Sequence, residues 1–286
     1  MGDALSAVSY QTQPSPEASE LRVLSQPKGT DSIKQYGNYV FPIGGSETYI
    51  YHAEMGINKD HLDFQNPQRQ IEWVYTPLAE FYGQDMENES RVADGHSTCT
   101  ASKAAGNIYG ANRQATLVVV KMPDWSVASI VQILLTISDH IHHNRRQARS
   151  VVSISWGTKA TMSALQATVY YELMLGAVVQ LSSDEVILVC AAGNHATEVD
   201  EMGKRRLRVD TAPAVLGFGA PRLVVVGNSD NNGKRSSTSQ ISNAYHQIHA
   251  PGVDIKCAKS TSTTGYRYDS GTSFCELTYY LVSNIL

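Results

Sequence analysis

The chain has 286 residues, 42% of them hydrophobic and 17% charged, and its 23 Lys+Arg against 27 Asp+Glu leave a net charge of −4. That length suits one large domain or two small ones, and apolar residues recurring along it exclude general disorder. Its basic runs, Arg145-Arg146 and Lys204-Arg205-Arg206, are short and separate, which excludes a nucleic-acid binder, because phosphate neutralisation needs a clustered basic surface.

The first twenty residues, rich in Ser, Gln, Pro and Glu, read as a flexible leader over 1–20, and 21–286 as the folded part. No charged-then-apolar start marks a secretory signal, and no apolar run approaches the roughly 18 residues of a membrane span, so no membrane partner is expected. Residues 48–52 form a short strand ending in the turn Glu54-Met55-Gly56, and 117–120 are a β-branched strand of the kind buried on both faces. Ile130, Leu134, Ile137 and Ile141 fall at helical spacing after the start signal Pro123-Asp124. Strand 151–155, helix 164–181, strand 186–189 and strand 223–226 continue the alternation, with Leu165, Val169, Leu173 and Val178 as apolar positions of the second helix. Such alternation specifies an α/β fold, a doubly wound parallel sheet between two helix layers, with its site at the carboxyl ends of the strands.

Three segments at such ends carry chemistry: Asp94-Gly95-His96-Ser97-Thr98 before the small-residue helix 101–106, Ala191-Ala192-Gly193-Asn194 after a strand, and Ser270-Gly271-Thr272-Ser273-Phe274 before an apolar end. A nucleophilic serine needs a base to take its proton and a donor for the oxyanion that forms. A serine, a histidine and an asparagine so placed supply all three.

In these segments the chain resembles the subtilisin-like serine peptidases (peptidase S8), and in particular their fungal branch. The resemblance runs from about Leu21 to the C-terminus. It rests on His96-Ser97-Thr98-Cys99 through Gly106, on Tyr109-Gly110-Ala111 with the strand up to Lys121, and on Ser153-Ile154-Ser155-Trp156-Gly157. The Asn194 segment, Ala250-Pro251-Gly252-Val253-Asp254-Ile255 and Gly271-Thr272-Ser273 follow in family order. It implies a serine endopeptidase working through an acyl-enzyme, with Ser273 as nucleophile, His96 as general base, Glu54 as the acid and Asn194 as oxyanion donor beside the Ser273 N–H. Ser155, Trp156 and Gly157 border the substrate cleft, where a peptide adds as a strand. The implied partner is a peptide or protein substrate, and the protein is expected to be a monomer. No cofactor is expected; structural calcium is common in the family, but no ligand set matches here. The resemblance points outside the cell, the visible N-terminus to the cytoplasm.

Three departures from the family pattern motivate the alternative of a catalytically impaired homologue that binds peptides through the same cleft. Glu54 replaces the family's aspartate in an Asp-x-Gly turn, and its extra methylene threatens to overshoot the imidazole. Ser97 replaces the glycine after the histidine, where its hydroxyl either crowds the backbone or caps the helix. After Ser273 the chain runs Phe274-Cys275-Glu276-Leu277, with Leu277, Tyr280, Leu281 and Leu286 spaced for a buried helix, a shortened C-terminal end in which a buried Glu276 is costly. Asp60, Asp63 and Asp94 are the competing acids. His140, His142 and His143 read as a solvated helix end rather than a metal site, and His195 as a cleft-edge residue. Cys99, Cys190, Cys257 and Cys275 lie far apart with no C-x-x-C pair, giving neither a disulfide framework nor a zinc site by spacing.

Overall fold

The computed structural model describes residues 9–14, 16–25, 37–43, 48–67, 69–82, 95–158, 162–242 and 247–275. In chain order these form β1 (Ser9–Pro14), α1 (Ser19–Leu24), β2 (Asn38–Ile43), β3 (Tyr49–Glu54), β4 (Ile71–Tyr75), α2 (Pro77–Phe81), α3 (His96–Ala105), β5 (Thr116–Lys121), α4 (Val127–His143) and β6 (Ser150–Ile154). There follow α5 (Met162–Gln166), α6 (Val169–Ser183), β7 (Ile187–Ala191), β8 (Leu223–Ser229), β9 (Gln247–Pro251), β10 (Ile255–Ala258) and β11 (Tyr266–Asp269). Residues 272–275 are helical.

Seven strands form one sheet in the order β4-β5-β3-β6-β7-β8-β9, every pairing parallel. Parallel strands need crossovers, and the helices of those crossovers cover both faces. One face carries Tyr51, Ala53, Val118, Val120, Val152, Ile154 and Leu188 against α4 and α6. The other packs Ile50, Leu117 and Val119 against Ala101, Ala104 and Ala105 of α3, and Val189, Val224 and Val226 against Cys275. This is the expected three-layer α/β fold.

The order places β5 on one side of β3 and β6 on the other. The chain therefore reverses its winding at β3, and the carboxyl ends there splay around a crevice, the position where such sheets bind ligands. Glu54 is the last residue of β3 rather than the first of the turn.

Three expectations change. The leader is partly ordered: β1 pairs antiparallel with β2, while Ala18 and Leu21 pack with Tyr39, Phe41 and Tyr109. Glu20 is buried there, 2.6 Å from Lys103 Nζ of α3. The helix expected over 164–181 is two helices, α5 and α6, and of its apolar positions Leu165 and Val178 are buried while Val169 and Leu173 face solvent. Cys99 and Cys257 form a disulfide across a sequence separation of 158, tying α3 to β10; only the fold brings them together, so spacing could not show it. The candidate helix with Leu277, Tyr280, Leu281 and Leu286, and the charge of Glu276, lie outside the described residues.

Candidate active site

α3 begins at His96, with Gly95 as its N-cap at φ +83°. That left-handed conformation is costly for a residue with a Cβ, so glycine fits the turn that delivers the imidazole to the strand ends. His96 Nδ1 stands 2.9 Å from Glu54 Oε1, with the carboxylate almost wholly out of solvent. The extra methylene of glutamate therefore does not overshoot. The same Oε1 accepts the Ser155 hydroxyl at 2.8 Å, whereas Oε2 is buried without a hydrogen bond among the described residues.

Ser273 is the second residue of the helical segment 272–275 and is nearly buried. Its hydroxyl donates to Ser155 O at 2.7 Å. The next residue, Phe274, sets its ring 5.5 Å from the His96 ring, centroid to centroid, so the Ser273 and His96 segments face each other. Ser155 thus bonds Glu54 with its side chain and Ser273 with its carbonyl.

Asn194 follows β7 through Gly193, whose φ of +96° and close approach to Gln240 leave no room for a side chain. Two reciprocal bonds join this turn to the serine turn: Gly193 N to Thr272 Oγ1 at 3.2 Å and Thr272 N to Asn194 Oδ1 at 2.9 Å. Asn194 is exposed, its Oδ1 is engaged by Thr272 N, and its Nδ2 lies beside Gly271.

A chain whose sheet reverses its winding at the strand that ends in Glu54, with a histidine, an asparagine and a serine gathered on its carboxyl edge, is matched along most of its length by the model of one family. That model, described as the Subtilase family, covers residues 45–275. The chain belongs to the Subtilase family. Among its relatives, alkaline protease 1 of Aspergillus clavatus is 29% identical over 252 residues, 86% of this chain and 55% of that protein. Alkaline protease 1 of Emericella nidulans is 28% identical over 271 residues, 90% of this chain and 58% of that one. The chain spans about half the length of these curated relatives. In fold it is similar to a crystal structure of a cold-adapted subtilisin-like serine proteinase, with TM-score 0.64 and 21% identity over 92% of this chain and 82% of the other.

Against this subtilase frame, the other candidate residues fall into place. The Ser97 hydroxyl does not cap α3; it donates across to Gly56 O. Asp63 is buried at the far end of α3, accepting from Ser102 Oγ at 2.5 Å and Ile108 N at 2.8 Å. Asp60 is a surface partner of Lys59, and Asp94 lies outside the described residues. The cleft assignment of Ser155 and Trp156 needs correction for their side chains: the Trp156 indole is core, donating to Ala53 O at 2.7 Å and packing edge-on against Trp125. Gly157 is half-exposed. His142 pairs with Asp184, His195 with Glu198, and His140 contacts Tyr51 Oη. Among the described residues no group of three or more His, Cys, Asp or Glu is placed to hold a metal ion.

Sequence reading missed His52. It lies two residues before Glu54, fully buried, with Nε2 3.1 Å from Ser97 O. Its signal was a histidine within an otherwise apolar strand core.

Proposed function

We propose that this subtilase is a serine endopeptidase that cleaves extended peptide segments through an acyl-enzyme. The carrying observation is the 2.9 Å contact between Glu54 Oε1 and His96 Nδ1 on the carboxyl edge that also holds Ser273. In the reaction the Ser273 hydroxyl turns from Ser155 O toward His96, whose Nε2 takes the proton as Oγ attacks the scissile carbonyl. Glu54 holds the imidazole tautomer and stabilises the imidazolium. Asn194 Nδ2 and the Ser273 N–H donate to the oxyanion. His96 then protonates the leaving amine, and water reverses the sequence to free the acid product. The relatives named alkaline protease support this reading. The Cys99–Cys257 disulfide supports action outside the cell, where disulfides persist; the protein acts as a monomer.

The test is hydrolysis of an unstructured protein substrate. Wild type is expected to cleave it, and Ser273→Ala and His96→Ala each to lose about 10⁶-fold in kcat. The bond from Ser273 Oγ to Ser155 O favours a second reading, a peptide-binding homologue with impaired catalysis. Well-folded protein that binds peptides without cleaving them would support it; cleavage lost in both variants rules it out.

A further inference from the structure

We propose that His52 and Ser97 are positioning residues that set the spacing between Glu54 and His96. This rests on the triad reading above. Alternate residues of a strand share a face, so His52 and Glu54 both point toward the layer that holds α3. There the His52 Nε2 lies 3.1 Å from Ser97 O and 3.3 Å from Ser97 Oγ, with Thr100 Oγ1 at 3.5 Å. A carbonyl only accepts, so the ring carries its proton on Nε2 and donates it there.

Ser97 directly follows His96, and its own hydroxyl donates to Gly56 O in the turn that follows Glu54. The same turn is tied to the same helical turn by Asn58 N donating to Thr98 Oγ1 at 3.0 Å. The acid's strand and turn are thus bridged to the base's helix on both sides of Glu54, and the bridges flanking it most closely run through Ser97. A glutamate needs such bridging. Three side-chain torsions separate its carboxylate from the backbone, so a fixed contact to His96 requires two fixed backbones, and misplacement by about 1 Å can cost about 100-fold in rate.

The arrangement is kept against a cost. His52 Nδ1 is buried without a hydrogen-bond partner among the described residues, and an unpaired buried polar atom opposes folding. An apolar side chain would fill the space without it. Burial also lowers the His52 pKa to about 4, with the His96 ring adding to the effect while Glu54 and the Ser97 carbonyl oppose it. Neutral at ordinary pH, the ring acts through its hydrogen bond and not through charge.

The experiment compares His52→Leu, His52→Gln, Ser97→Ala and the double variant His52→Leu/Ser97→Ala with wild type and Ser273→Ala. It reads kcat, KM and the labelling rate by a fluorophosphonate, with thermal unfolding recorded for each. His52→Leu and Ser97→Ala are expected to lower kcat and labelling about tenfold with KM within about twofold, the signature of lost transition-state geometry. His52→Gln, which offers an N–H at similar reach, is expected to recover most of the loss. The double variant should lose less than the product of the singles, since both act on one network. A folded His52→Leu or Ser97→Ala that labels at the wild-type rate overturns the proposal, as does His52→Gln performing no better than His52→Leu. If His52→Leu does not fold, Ser97→Ala, which barely changes volume, decides between the two outcomes. Wild type that labels no faster than Ser273→Ala overturns the triad reading instead.

Discussion

Glu54 is a carboxylate at the end of a central strand whose Oε1 serves both His96 Nδ1 and Ser155 Oγ. Its length is matched to this backbone, so shortening it is harmful even though aspartate is the family's usual acid. Glu54→Asp is expected to lower kcat about 100-fold, and Glu54→Gln, which favours the wrong tautomer, about 10⁴-fold; steady-state kinetics checks both, and an unimpaired Glu54→Asp contradicts the matched length. His52 gives a pH signature of its own. Its pKa falls from 6.5 in the unfolded chain to about 4 in the fold, mainly through burial. Above pH 6.5 both states are neutral; below it the unfolded chain takes up the proton first, so stability is lost as pH falls toward about 4. The loss is about 3 kcal/mol. Urea unfolding of His52→Gln should show a shallower acid loss over that window, and parallel curves would contradict a buried neutral His52.

α3 joins the site to the rest of the molecule. Its first turn carries His96 and Ser97, its middle Cys99, and its second half Lys103, which meets Glu20 of α1 and Tyr109 O. Cys99, Cys257, Ile255 and Phe274 form one small cluster, so the disulfide also steadies the helix start that bears Ser273. By chain entropy, closing a loop of this span contributes about 4–5 kcal/mol. Cys99→Ala/Cys257→Ala is therefore expected to lower Tm by about 10 °C or more, with wild type falling equally under reductant. A variant melting like wild type would show that packing alone holds α3. This element was only partly readable: the small-residue pattern predicts a helix from 101, yet its true start at His96 depends on the left-handed turn at Gly95.

The central strands were legible because parallel pairing buries both faces, and Leu117 to Val120 shows that as an unbroken apolar run. The margins were not. β4 is an edge strand whose residues are all half-exposed, and β9 closes the other edge with Gln247 and His249 among its residues, so neither carries the full apolar signal. β1 is a polar ribbon whose apolar support, Tyr39 and Phe41, sits on its partner strand. The candidate site residues could be named from the sequence because each lies in its own short motif. Their mutual geometry and the inward use of Ser155 and Trp156 are tertiary facts with no local trace, and His52 left only the trace of a histidine in an apolar strand. The central claim is that these dispersed residues make Ser273 a nucleophile. It is tested most directly by treating folded protein with a fluorophosphonate and mapping the adduct by peptide mass spectrometry. A single adduct on Ser273, absent from His96→Ala, is the expected result; no adduct, or one on another serine, would contradict the account.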